Sequence, residues 1–257
     1  MNITPRDIFF CYFQPNYNAK VQPSYLFARY VSSEYMPWTD PLMAPLVVLW
    51  LYLPGYLSNT AAMLGGKWIP EITGMRVFPI DAGRVMSDGN RILGDGKTWN
   101  GLIGGTLGGG LLAILTTILS DNNEIDAAPF LSPVGAYWVD PVHLSQAWFY
   151  FENEIITAFI IGSVMGFGCM IGDSIGSFIK RRLGHKREGE ESSEAPLLDT
   201  LPFAISTFIF GLLFLNKSIA GSSELLTGMI ILLFITPILH RSFNIIGYKL
   251  GLKSVPY

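Results

Sequence analysis

Asp95 and Lys97 stand between glycines in the stretch GDGKTWNGLIGG, residues 94–105, just before an apolar run that begins at Leu102. A carboxylate and an ammonium at the mouth of an apolar segment are costly unless they have a partner or a task. Gly94 and Gly96 let a ligand approach the backbone, and a helix starting here directs free N–H groups and its positive dipole end at an anion. The chemistry this supports is contact with a phosphate at a membrane surface, with Thr98 among the donors. A capped loop carrying an ordinary solvated ion pair is the competing reading, since glycine-rich fragments recur by chance. The stretch is not a Walker A loop, because position 91, where its first glycine would fall, is Arg91.

A second constellation lies in GDSIGSFIKRR, residues 172–182. On a helix, Asp173, Ser177 and Lys180 fall at i, i+4 and i+7 and share a face. Arg181, Arg182 and Asp199 follow, and Asp81, Arg84, Asp88 and Arg91 precede Asp95 in the first loop. Basic residues beside a membrane commonly just touch anionic head groups, a reading that suits Arg182, Lys186 and Arg187. Asp173 is too close to the apolar core for that.

Carboxylates interleaved with cations at a bilayer surface suit a Mg²⁺ ion bridging phosphates, with Asp173, Asp199 and Asp95 as its ligands. Phosphoryl or nucleotidyl transfer to a lipid is the matching chemistry. Asp95, Lys97, Asp173 and Lys180 are the candidate catalytic residues. Asn59, Asp81, Arg84, Arg91, Thr98, Ser177, Arg181 and Arg182 are the candidate substrate contacts. No general base is needed when the nucleophile is a phosphate monoester, whose second pKa is about 6, so the three histidines are no obstacle.

The elements that must position these groups are membrane helices. Half of the 257 residues are hydrophobic and 14% are charged, and the mean hydropathy is +0.38, more apolar than a soluble domain of this length needs. Cys11 and Cys169 suggest neither a disulfide framework nor a zinc site, and IFFCYF at 8–13 is too short for a signal core. Residues 1–41 read as an N-terminal extension to a membrane-embedded domain over 42–257. Apolar runs at 42–64, 101–119, 155–172, 201–215 and 225–240 predict an all-α integral membrane protein with five transmembrane helices. The first is kinked by Pro45 and Pro54, and Asn59, costly in lipid, should face another helix or the site. Glycines at every fourth position, Gly101, Gly105 and Gly109, then Gly168, Gly172 and Gly176, allow backbone-to-backbone helix contact within one chain or in a homo-oligomer.

Lys67, Arg76, Arg84, Arg91 and Lys97 fall in the segment 65–100, and Lys180, Arg181, Arg182, Lys186 and Arg187 in 173–200. Residues 120–154 hold six acids and no lysine or arginine, and only Lys217 lies between the last two spans. The positive-inside rule then puts the N-terminus outside, the C-terminus inside and the catalytic loops in the cytosol. The cations Arg6, Lys20 and Arg29 of the extension fit this least well. His143 stands alone in the acidic segment and reads as solvated or packed.

The run PIDAGRVMSDGNRILGDGKTWNGLIGG at 79–105 resembles the hallmark of the CDP-archaeol synthase family. LPGYLSN at 53–59, GDSIGSFIKRRLG at 172–184 and the tail from His240 through LGLKSVPY support the likeness, in the expected order over most of the chain from residue 50. The resemblance implies five membrane helices, Mg²⁺ dependence and location in the cell membrane. It also implies transfer of CMP from CTP to an isoprenoid ether-linked glycerol phosphate, 2,3-bis-O-geranylgeranyl-sn-glycerol 1-phosphate, with release of pyrophosphate, in archaeal phospholipid biosynthesis. No nucleic acid is implied as a partner. The family is similar to phosphatidate cytidylyltransferases around GDxxxSxxKR and the aspartate that follows, here Asp199. This chain departs from the pattern at Ala82, Asn90 and Asn100, and at Pro202, where DTLP lacks a second acid. A phosphatidate cytidylyltransferase acting on diacyl lipid and a small membrane transporter are the alternatives; the latter places its charges near the bilayer midplane.

Overall fold

A computed structural model of the chain describes residues 42–74, 76–122, 147–151, 153–185, 196–215 and 223–249. The N-terminal extension, His143 and most of the acidic segment, Lys186, Arg187, Lys217 and the tail beyond Lys249 lie outside the described residues.

The first apolar run folds as two helices, α1 (Ala44–Leu51) and α2 (Leu53–Thr73), bent by 46° at Tyr52. Pro45 and Pro54 each sit in a first helical turn, where the missing N–H is one the helix would leave unpaired anyway. The expected end near Leu64 is overrun by more than two turns. Gly65 and Gly66 do not break the helix, because Gly65 is pressed against the helix that begins at Trp99: a Cβ there would lie 2.7 Å from the Cα of Gly104. The helix stops at Gly74, whose left-handed backbone (φ 69°) returns its N–H to the carbonyl of Pro70 at 2.9 Å.

Four further helices follow: α3 (Trp99–Asn122), α4 (Glu154–Arg182), α5 (Pro196–Phe214) and α6 (Ser223–Lys249). Asn153 caps α4 by accepting the N–H groups of Ile155 and Ile156. The third apolar run continues into GDSIGSFIKRR without a break, as the shared face of Asp173 and Lys180 requires. The fifth helix begins five residues ahead of the expected Leu201, which puts Asp199 in its first turn. The sixth outlasts the expected end at His240 and carries Arg241 to Lys249 as helix. Four helices, α3 to α6, are each long and apolar enough to cross a membrane, and the bent α1–α2 pair makes up to five. The described residues contain no strand, only isolated bridges at Pro79–Thr98 and Val85–Arg91. The described residues are therefore all-α, and their apolar helices make the chain a multi-pass membrane protein.

Helices α2, α3, α4 and α5 pack each on the next, while α6 rests on α1 and α5. Small residues set the spacing. A Cβ at Gly109 of α3 would lie 2.6 Å from the carbonyl oxygen of Gly162 and 2.7 Å from the Ser58 hydroxyl, so α3 touches α2 and α4 at the same level. Around the bend, Val47, Leu51 and Tyr52 are fully buried, and Tyr52 meets Phe208 edge to face with centroids 4.9 Å apart. Ile103, Leu107, Leu111 and Leu115, four residues apart on α3, are exposed and form the stripe a lipid-facing helix presents.

Gly109→Val places its side chain against backbone that has no room to move, and an overpacked contact costs about 1–3 kcal/mol or more. Thermal unfolding in detergent should fall by about 5 °C or more. Gly66→Ala meets nothing within 4 Å and removes a helix-interior glycine, so its midpoint should hold or rise slightly.

Candidate active site

The segment between α2 and α3 folds around one carboxylate. Asp81 is 6% exposed and accepts the N–H groups of Gly83, Leu93 and Gly94 at 3.1, 3.0 and 3.0 Å. Arg91 adds a two-pronged contact, Nη2 to Oδ1 at 2.6 Å and Nε to Oδ2 at 3.2 Å. Such convergence needs sharp turns, and Gly83 (φ 80°) and Gly94 (φ 94°) both take the left-handed backbone that glycine tolerates best. Burial pushes the Asp81 carboxyl upward, but the Arg91 guanidinium and the backbone amides of Gly94, Leu93 and Gly83 together hold it well below the usual carboxylate range. Arg91 reaches on to Asp95 at 2.7 Å. Ile80 donates to the carbonyl of Lys97 at 2.8 Å, closing the base of the loop. Thr98 caps α3, its hydroxyl accepting the Gly101 N–H at 3.1 Å.

Lys97, delivered by this loop, donates from Nζ to Asp173 Oδ2 of α4 at 2.5 Å. About two turns further along α4, Lys180 pairs with Asp199 of α5. Side chains of the first pair are 23% and 19% exposed and those of the second 11% and 12%. Each charge is thus largely withdrawn from water and compensated by its neighbour, the condition under which a part-buried ion is tolerable.

Both aspartates face a cavity of about 590 Å³ at this end of the bundle. Its polar wall is Asn59, Asp95, Lys97, Thr98, Asp173, Ser174 and Asp199; Leu49, Leu53, Leu57, Met63 and Phe203 make much of the remainder. The structure therefore brings together Asn59, Asp95, Lys97, Thr98, Asp173 and Asp199 of the residues singled out in the sequence. Asp81 and Arg91 lie within the loop, Arg84 is exposed on it, and Ser177 is buried; none of these lines the cavity. Arg181 donates to the carbonyl of His185 at 2.6 Å and lies against Gly94, while Arg182 binds Asp88 and the carbonyls of Asn90 and Arg91. Tyr56, Ser174, Thr236 and His240 line the cavity unannounced. Ser174 follows Asp173 directly, and His240 closes the last apolar run; those positions were the only available signals. Tyr56 of α2 and Thr236 of α6 join their hydroxyls across the cavity at 3.0 Å.

Among the described residues, no three His, Cys, Asp or Glu side chains stand together as a metal-holding group. Asp95, Asp173 and Asp199 thus do not form the three-carboxylate set expected from the sequence, and Asp95 is turned to Arg91. Two hard carboxylates on one cavity wall still fit Mg²⁺, which commonly takes one or two protein carboxylates and completes its shell from water and substrate phosphates. Lys97 and Lys180 now hold the positive charge beside them.

The family model described as "CarS-like: CDP-archaeol synthase" matches residues 41–145 and 131–257. A CDP-archaeol synthase of Thermococcus gammatolerans is 36% identical over 211 residues, covering 81% of this chain and 94% of that protein. One from Picrophilus torridus is 35% identical over 82% of this chain and 96% of its own length, and one from Methanospirillum hungatei 37% over 80% and 99%. A solved structure described as an intramembrane enzyme for archaeal membrane lipids biosynthesis aligns at 25% identity and a TM-score of 0.48, over 77% of this chain and 92% of that one. With the matched segments spanning the helices and the loop that build the cavity, the chain belongs to the CDP-archaeol synthase family.

Proposed function

We propose that this chain transfers CMP from CTP to 2,3-bis-O-geranylgeranyl-sn-glycerol 1-phosphate, releasing pyrophosphate, at the cytosolic face of an archaeal cell membrane. The observation that carries the reading is the meeting of Lys97, Asp173 and Asp199, from three separate segments, on one wall of a cavity whose remainder is largely apolar. The polar wall suits a triphosphate and a lipid phosphate, and the apolar wall suits isoprenoid chains. An N-terminus outside and a C-terminus inside follow from the distribution of Lys and Arg.

In this mechanism an ionised lipid phosphate oxygen attacks the α-phosphorus in line, and the bond from that phosphorus to the β-phosphate oxygen breaks as pyrophosphate departs. Lys97 on the cavity wall, and Lys180 held beside the cavity through Asp199, offset the charge on the leaving group. Asn59 and Thr98 orient the substrates from the cavity wall. Asp173 and Asp199 would hold Mg²⁺, with Asp95 nearby; the ion supplies Lewis-acid polarisation of the phosphates. A transporter gains no support, since the charged groups collect at one end of the helices.

Purified protein with Mg²⁺ should incorporate label from CTP and not from ATP; equal incorporation from both removes the cytidine assignment. Parallel assays should favour the ether lipid over diacylglycerol phosphate. The pH–rate profile should climb through one ionisation near about 6, that of the lipid phosphate, and then level off. Asp173→Asn keeps the size but removes a charge, so turnover should drop by about 100-fold or more at any CTP concentration, whereas Lys186→Ala should cost at most about twofold. Near wild-type turnover by folded Asp173→Asn would move the metal site to the first loop.

A further inference from the structure

We infer that Arg182 is a positioning residue: it clamps the 79–98 loop onto α4 and thereby sets Lys97 against Asp173. The inference rests on the proposed reaction for its consequence, though not for its geometry. Arg182 lies nine residues beyond Asp173 on the same uninterrupted helix, a separation of about 13 Å along the axis. Its guanidinium spends three hydrogen bonds on the loop: Nη1 to Asp88 Oδ1 at 2.7 Å, Nη2 to the Arg91 carbonyl at 2.6 Å and to the Asn90 carbonyl at 3.3 Å. The ring of Phe178, one turn back, backs it at 5.4 Å from centroid to Cζ, and Nε is buried without a partner. This is a side chain fixed on both sides rather than one reaching for a substrate, and it does not line the cavity.

The receiving end is equally ordered. Asp88 also accepts the N–H of Asn90 at 3.0 Å, so the turn that Arg182 grips is closed on itself. From there the contacts run through Arg91 to Asp81 and Asp95, and Asp81 gathers the amides of Leu93 and Gly94 just ahead of Lys97. Helix α4 therefore holds the loop at two points: Arg182 grips its tip and Asp173 receives its ammonium. With one rigid helix carrying both points, the loop register is fixed relative to the carboxylate.

A clamp and a simple positive charge differ in what a lysine can replace. A guanidinium offers a planar fork to a carboxylate and two carbonyls at once, while an ammonium is a point charge. Arg182→Lys should therefore be impaired nearly as much as Arg182→Ala, each losing about tenfold or more in kcat. In a Lys97→Ala background the further loss from Arg182→Ala should be under about twofold, because the residue acts through Lys97. Hydrogen exchange of unliganded protein in detergent gives a readout independent of activity: the Leu93 and Gly94 amides should exchange about tenfold faster or more in either Arg182 variant. Asp88→Asn, a milder change, should accelerate the same amides should Arg182→Ala fail to fold. Turnover of Arg182→Lys within about twofold of wild type, with unchanged loop exchange, overturns the inference in favour of a charge contact to phosphate or head group. So does full additivity with Lys97→Ala. Faster loop exchange in a protein whose wild type turns over no CTP leaves the clamp standing and removes the reaction instead.

Discussion

Close contact of α3 with the helices on both sides is the constraint from which the rest of the architecture follows. Gly104 meets Gly65 of α2, and Gly109 meets Gly162 and Gly166 of α4, at distances no side chain would allow. In lipid there is little hydrophobic gain from joining apolar helices, so association depends on van der Waals contact and on backbone approach. Because α3 is held tightly to α4, Lys97, two residues before its start, is delivered to a defined height on that helix. The height is that of Asp173.

The charges at that height come at a cost that the structure meets locally. Removing one partner of a part-buried pair leaves an uncompensated ion, worth about 3–5 kcal/mol of destabilisation when burial is complete and less at the exposures found here. Lys97–Asp173 and Lys180–Asp199 therefore keep four charged groups compensated at the edge of the apolar bundle. Asp199 gains further from its place in the first turn of α5, where the helix dipole favours an anion.

The apolar runs of α3 to α6 were legible in the sequence because lipid-crossing segments must be long and nearly free of charge. Their ends were not, since a helix packed on neighbours runs on through glycines and lysines that would end an isolated one; α2 passes Gly65, Gly66 and Lys67 in this way. Asp95, Lys97, Asp173 and Asp199 stood out in the sequence because ions beside an apolar run need a reason, and all four line the cavity. Asp81 carried the same signal with a different place in the fold, because its partners are backbone amides at positions 83, 93 and 94. Left-handed turns at Ala82, Gly83 and Gly94 make those amides converge, and no linear spacing encodes that. Tyr56 and Thr236 left no mark either, because periodicity does not say which side of an apolar helix looks into a cavity.

The departure at Pro202 has a local account. A proline inside α5 lacks an N–H, so the carbonyl of Leu198 loses its usual helical partner. That carbonyl lies beside Gly176 of α4, 2.6 Å from where a Cβ would stand, and the Pro202 ring packs on the same glycine, its Cγ at 3.2 Å. The Pro202 carbonyl in turn crowds Gly172. Position 202 thus faces the backbone of α4, whereas Asp199, three residues earlier, faces the cavity. At this position the proline ring fills the contact with Gly176 and lets α5 lie close to α4. Closeness of α5 to α4 is what lets Lys180 reach Asp199, so in this chain Pro202 serves that ion pair.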